Sequence, residues 1–328
     1  ALAAAGQKLQ WAIHFSPTSL FFDPGVTPGT GAPLIVQYAL HDALIRPVKG
    51  KATGLSLAES MELAKDGLSY TFVLRNGLKF QNGDPLTTED VKFSFDRYKG
   101  ANAKLIRDFV TEARIIDKRT IRYVLSKPWP DFVTIFGTPA SGVAWILPKA
   151  YYNKVGDEGF KAAPIGAGPY RLAQFSAGTR IVFEASEHFW GKKPEVPQLI
   201  FRVIPDPSTR LAAIRNGEVD FAYGIQGDLV KEVRSLPNLK IKSSAIPVTN
   251  FVSFASAYDK SSPWSDERVR RAANMAIDRA GMNDAAYAGL GKVSYSIIPH
   301  LMDFYWQPPE IRYDPKAAMA LLAQAGHA

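Results

Sequence analysis

Leu199-Ile200-Phe201-Arg202-Val203-Ile204, then Asp206-Pro207, Leu211, Ile214 and Gly217, then Val219-Asp220-Phe221-Ala222, is the stretch on which the fold turns. The first six residues read as a buried strand, because a short, mostly apolar run bounded by turn residues suits a sheet covered on both faces. Asp206 caps a helix, Pro207 takes its first position, Leu211 and Ile214 point inward, and Gly217 ends it. Val219–Ala222 follows as a second strand. Strand, helix and strand in that order form a parallel βαβ unit, since parallel neighbours need a crossover. The fold class is therefore α/β.

Upstream, Leu9–Ile13 reads as a short strand running into a Pro/Gly/Thr-rich loop, Ser16-Pro17-Thr18-Ser19 through Pro24-Gly25 and Gly29-Thr30-Gly31. Such a loop offers backbone groups to a ligand. Tyr70–Leu74 and Leu78–Phe80 alternate around Asn76-Gly77, which predicts a tight hairpin. Thr87 or Thr88 caps a helix with Val91, Phe95 and Tyr98 on one face. Residues 120–125 form a strand that Pro128-Trp129-Pro130 breaks. Tyr170–Phe175 and Arg180–Glu184 pair across Ser176-Ala177-Gly178-Thr179. Downstream, a helix is expected over 265–280, capped by Ser265, with Val269, Ala272, Ala273, Ala276, Ile277 and Ala280 on a small-residue stripe suited to packing on a sheet. A last helix starts at Asp314-Pro315, turns Ala318, Leu321, Leu322 and Ala325 inward, and stops at Gly326.

With 328 residues, 46% hydrophobic and 12% aromatic, the chain can bury a sizeable core and is expected to form two or three lobes. A mean hydropathy of -0.09, with no apolar run near the ~18 residues a bilayer needs, argues against a membrane-embedded protein. The net charge of +8 lies wholly before residue 246. Its basic residues are scattered (Lys92, Arg97, Lys104, Arg107, Arg114), with runs no longer than Lys118-Arg119 or Arg270-Arg271, so a solvated surface and no nucleic-acid partner are expected. Zero cysteines exclude disulfides, Cys-ligated zinc, iron–sulfur clusters and a thiol nucleophile. Ala1–Lys8 reads as the end of a cleaved secretory signal or as a plain frayed terminus or cloning remnant. Without an N-terminal Cys, an exported chain is expected to be free rather than lipid-anchored.

Catalytic motifs are absent: the nucleophile elbow, the dinucleotide and Walker loops, His-Glu-x-x-His and the EF-hand pattern. The five histidines, His14, His41, His188, His300 and His327, are widely separated, and satisfied or exposed imidazoles are the plain reading. No catalytic residue, metal site or cofactor is expected. Gly166-Ala167-Gly168 leads through Pro169 into a strand, not a helix, and so cannot place a helix N-terminus under a phosphate. The aromatic set Trp11, Phe15, Phe21, Phe22, Tyr223, Phe251, Phe254 and Trp306 stays open between core and ligand cleft.

Gly67–Phe80 with Gly83–Ser94 resembles the signature of family 5 extracellular solute-binding proteins, the peptide/nickel class serving ABC importers. Three later blocks resemble the same family: Gly166–Phe175 through Phe189–Pro194; Phe201–Asp220; and Asp266–Arg279 with Tyr313-Asp314-Pro315. The resemblance implies a two-lobed α/β periplasmic binding protein with an inserted subdomain in the first lobe. Mapped here, residues 1–30 and 165–245 would form the first lobe, 31–164 the inserted subdomain, and 246–328 the beginning of the second lobe. Family members are usually much longer, and residues 246–328 supply about one strand and two helices. The second lobe is therefore expected to be incomplete and the chain truncated.

The implied role is capture of a peptide-like or oligosaccharide-like solute by lobe closure and delivery to an inner-membrane ABC permease, without chemistry on the solute. Candidate contacts are Ser16, Thr18 and Phe21 on the loop after the first strand, Tyr223 and Gly224 after Val219–Ala222, Asn250 and Phe254 on the crossing, and Trp306 on the late loop. Each also reads as core or surface. A secreted hydrolase and a chemoreceptor-facing sensor remain the alternatives.

Overall fold

The computed structural model describes residues 8–27, 29, 31–138, 140–244, 246, 248–302 and 304–327; Ala1–Gln7, read above as the end of a signal, lies outside them. The chain divides into two compact units, Ala1–Tyr223 and Gly224–Ala328.

The first unit carries strands β1 (Lys8–Ile13), β2 (Ile45–Val48), β3 (Lys51–Leu55), β4 (Ala58–Leu63), β5 (Ser69–Leu74), β6 (Val110–Ile115), β7 (Thr120–Leu125), β8 (Tyr170–Ser176), β9 (Arg180–Ala185), β10 (Gln198–Val203) and β11 (Phe221–Ala222). Its helices are α1 (Ala32–Leu40), α2 (Thr88–Arg97), α3 (Ala103–Phe109), α4 (Phe132–Phe136), α5 (Lys149–Ala162) and α6 (Pro207–Arg215). β8 to β11 and β1 form one sheet in the order β11-β1-β10-β9-β8. β1 runs parallel to both β10 and β11, with Trp11 opposite Phe201 on one side and Phe221 on the other. The βαβ crossover thus spans β1. Asp206 Oδ1 accepts from the Thr209 N–H at 2.7 Å at the head of α6, and Gly217, with φ +73°, follows its end. Ala213 of α6 packs with Ala12 and Val219, all buried.

A second, antiparallel sheet has the order β4-β5-β7-β6. Alternate residues Tyr70, Phe72 and Leu74 of β5 and Ile121, Tyr123 and Leu125 of β7 are buried against Phe95 of α2 and Phe132 and Phe136 of α4. The helix expected at Thr87 or Thr88 starts at Thr87 in a capping box with Asp90, and Val91, Phe95 and Tyr98 are buried. The hairpin expected across Asn76-Gly77 does not form. β5 has β4 on one edge and β7 on the other, leaving no edge for residues 78–80. That segment bonds instead to the following turn, Phe80 N–H to the Asp84 carbonyl and Leu86 N–H to the Leu78 carbonyl.

The second unit contains α7 (Asp228–Ser235), α8 (Glu267–Met275), α9 (Arg279–Tyr287) and α10 (Pro315–Gln324), and no strand among its described residues. Its first residues bond within it, Gly227 N–H to the Ala286 carbonyl at 3.0 Å. The single helix expected over 265–280 is two. Ser265 lies in a 3-10 turn, Asp266 caps α8 through the Arg268 N–H, and Asp278 starts α9 by accepting from the Gly281 N–H. A carboxylate that caps a new start ends the helix before it. α8 packs on α10 rather than on a sheet, with Val269, Ala272 and Ala318 buried.

Candidate functional site

Three loops meet at the carboxyl ends of the parallel strands, the end where open α/β sheets bind ligands. The main chain ties them: Ile204 N–H donates to the Ile13 carbonyl at 2.9 Å, and Tyr223 N–H to the Ala12 carbonyl at 3.1 Å. Arg210, buried on α6, donates through Nη1 to the carbonyls of Ile204 at 2.8 Å and Pro205 at 2.6 Å, holding the turn after β10. Over these ends lies a chain of rings. His14 stacks on Tyr223 with centroids 5.2 Å apart and planes at 20°. Phe15 meets the His14 ring edge-on at 5.4 Å and lies 6.2 Å from Phe21. Desolvation and then the Arg210 guanidinium lower the His14 pKa below the ordinary histidine value, which favours a neutral imidazole.

Of the residues expected from sequence, Phe21 and Tyr223 join this array through Phe15 and His14. Ser16 and Thr18 are exposed on the loop, and Thr18 O accepts from the Phe21 N–H, shaping the 3-10 turn Ser19–Phe22. Gly224, Asn250, Phe254 and Trp306 belong to the second unit. There Asn250 donates to the Tyr287 hydroxyl at 2.7 Å, Phe254 packs on Trp264 at 4.7 Å, and Trp306 is exposed. His14 and Arg210 were missed. The signal for His14 was its position directly after the strand ending at Ile13; Arg210 looked like any surface arginine of a helix.

The buried titratable groups elsewhere serve the scaffold. His41 is fully buried, donates through Nε2 to the Phe22 carbonyl at 2.8 Å, and has its pKa driven down to about 4 by burial. Asp42 accepts from the Ala43 N–H, Ser56 Oγ and Trp190 Nε1, and burial pushes its pKa up. Among the described residues no cluster of His, Asp and Glu could hold a metal ion. A cavity of about 660 Å³ runs along Arg171–Phe175 of β8, the edge strand, beside Gln81, Asn82 and the end of α5.

Comparison with known proteins agrees with this architecture. The sequence pattern described as "Bacterial extracellular solute-binding proteins, family 5 Middle" matches residues 54–328. The chain is 31% identical to the dipeptide-binding protein of Escherichia coli over 82% of its own length and 54% of that protein's. It is 29% identical to di/tripeptide-binding protein 2 of Pseudomonas aeruginosa over 88% of its length and 58% of that protein's. The chain thus spans a little over half the length of these relatives. Among solved structures it shares the two-lobed periplasmic binding protein fold with DppA from Helicobacter pylori in complex with peptide STSA, with a TM-score of 0.78 at 24% identity, covering 98% of this chain and 66% of that one. A dipeptide binding protein from a Pseudoalteromonas species in complex with Met-Leu gives 0.78 at 23% identity, covering 97% and 66%. Among the described residues no helix is long and apolar enough to cross a membrane. The chain belongs to the bacterial extracellular solute-binding proteins, family 5.

Proposed function

We propose that this protein is the periplasmic substrate-binding component of an ABC importer, and that it captures a peptide-like or oligosaccharide-like solute without altering it. The observation that carries the reading is the convergence of the loops after β1, β10 and β11, tied through Ile13, Ala12 and Arg210 and covered by rings rather than by an acid–base pair. Relatives named for dipeptides, tripeptides and glutathione support the peptide side of it. The domain assignment is proposed in the same terms. A first lobe would hold residues 1–30 and 165–245 with the five-stranded sheet, residues 31–164 with the four-stranded sheet would be an insertion between β1 and β8, and residues 246–328 would begin the second lobe. Closure of lobes on the solute and docking on a membrane permease follow from that assignment.

The test is a thermal-shift panel of short peptides and oligosaccharides, with mass spectrometry of each solute afterwards. A bound solute at a hundredfold excess over its Kd should raise apparent stability by about 2.7 kcal/mol. Recovery of the solute unchanged supports binding; catalytic cleavage by homogeneous protein would return the reading to a hydrolase.

A further inference from the structure

We propose that His14, Phe15, Phe21 and Tyr223 select peptide-like solutes that carry an aromatic side chain, an inference that rests on the solute-binding reading above. The charged groups of the three loops are already engaged: Arg210 holds the Ile204 and Pro205 carbonyls, and Asp206 accepts from both the N–H and the hydroxyl of Thr209. Beside the exposed Ser16 and Thr18, the loops present the His14 and Tyr223 rings and the apolar Leu20: Tyr223 is 43% exposed and Leu20, in the Ser19–Phe22 turn, 44%.

The rings are graded for a further partner. His14 and Tyr223 make a nearly parallel, exposed pair, and Phe15, edge-on to His14, and Phe21 back it from the core on which they pack. Aromatic rings join such assemblies at centroid separations of about 4.5–7 Å, the spacing the array already keeps. A small side chain in the same place would leave these ring faces wet, whereas an aromatic one buries them together with its own surface. A neutral His14 imidazole removes the charge that would otherwise have to be desolvated as an apolar group approached.

The probes are the tripeptides Ala-Phe-Ala, Ala-Trp-Ala and Ala-Ala-Ala, titrated calorimetrically into the wild type, Tyr223→Ala, His14→Ala and a remote control, Ile116→Ser, on an exposed residue between β6 and β7. The aromatic peptides should bind the wild type and the control about tenfold more tightly than Ala-Ala-Ala, the scale of one aromatic pair with its burial. Both ring variants, checked for folding by their melting curves, should lose that preference while still binding Ala-Ala-Ala. Equal affinities for the three peptides in the wild type, or a preference that survives both ring variants, would overturn the selectivity and leave solute binding standing. No heat or stabilisation with any peptide or oligosaccharide would overturn the solute-binding reading itself, and the selectivity with it.

Discussion

Gln81 and Gly166 are joined twice: the Gly166 N–H donates to Gln81 Oε1 at 2.9 Å, and the Gly166 carbonyl accepts from the Gln81 main-chain N–H, also at 2.9 Å. The same side chain donates through Nε2 to the carbonyls of Leu40 at 2.7 Å and Tyr170 at 2.6 Å. One amide thus pins the turn beyond β5 to the end of α1 and the start of β8, on which the five-stranded sheet and its loops depend.

Replacing that amide should loosen the first unit. Gln81→Ala removes both donor and acceptor and leaves the part-buried Gly166 N–H short of a partner, a loss of about 2–3 kcal/mol. Gln81→Glu should cost more, because a carboxylate facing the Leu40 and Tyr170 carbonyls cannot donate to them. Urea unfolding followed by tryptophan fluorescence would measure both, and a Glu variant as stable as the wild type would contradict the assigned geometry.

Gly168 has a different reason to be glycine. A Cβ there would lie 2.6 Å from the Leu40 carbonyl carbon and 2.7 Å from the His41 nitrogen and oxygen, all main-chain atoms. Gly178 sits in the β8–β9 turn at φ +68° with open space around it. Gly168→Ala should therefore destabilise by more than about 2 kcal/mol through a clash, and Gly178→Ala by only about 1 kcal/mol through backbone strain. Equal losses of melting temperature would refute the distinction.

His41 sets an acid limit. In the folded protein its pKa is driven down to about 4 by burial, against 6.5 for a free histidine, with the Phe22 carbonyl and Asp23 opposing that shift. The unfolded chain therefore binds the proton first as pH falls. Its contribution to stability is full above pH 6.5, declines between 6.5 and 4, and is lost by about 3 kcal/mol below that. His41→Gln should flatten the stability-versus-pH curve in this window; an unchanged slope would show that other groups set it.

The parts of this fold that were legible are those where one local rule decides. Asp206-Pro207 and Gly217 fix both ends of α6, and Thr87 with Asp90 fixes the start of α2, because caps act within a turn. The Asn76-Gly77 hairpin failed because strand pairing is not local: β5 was already held by residues 58–63 and 120–125. Alanines through 280 hid the break between α8 and α9, which depends on Asp278 choosing a new helix over the old one. At the candidate site, the loop after β1 and Tyr223 were visible as residues following strands. The contact between His14 and Tyr223 was not, since it joins residues some two hundred positions apart through the adjacency of β1 and β11.

Asp42 is fully buried and accepts from Trp190 Nε1 at 2.7 Å, Ser56 Oγ at 2.7 Å and the Ala43 N–H at 2.8 Å, with Arg46 Nε 3.3 Å away. The Trp190 ring in turn lies 4.5 Å beneath the Arg75 guanidinium, whose Nε donates to the Ser56 carbonyl. Such a network is sensitive to the order in which it is dismantled. Trp190→Phe keeps the ring under Arg75 and strips one donor from a buried carboxylate, a cost of about 1–3 kcal/mol. Asp42→Ala leaves the Trp190 N–H, the Ser56 hydroxyl and the Arg46 guanidinium short of their common acceptor, about 3–5 kcal/mol. Once Asp42 is gone, the Trp190 indole N–H has nothing to lose, so the double variant should be less destabilised than the sum of the two by about 1 kcal/mol or more. Strict additivity in a denaturant-unfolding cycle would mean that the 2.7 Å indole–carboxylate contact contributes nothing to stability.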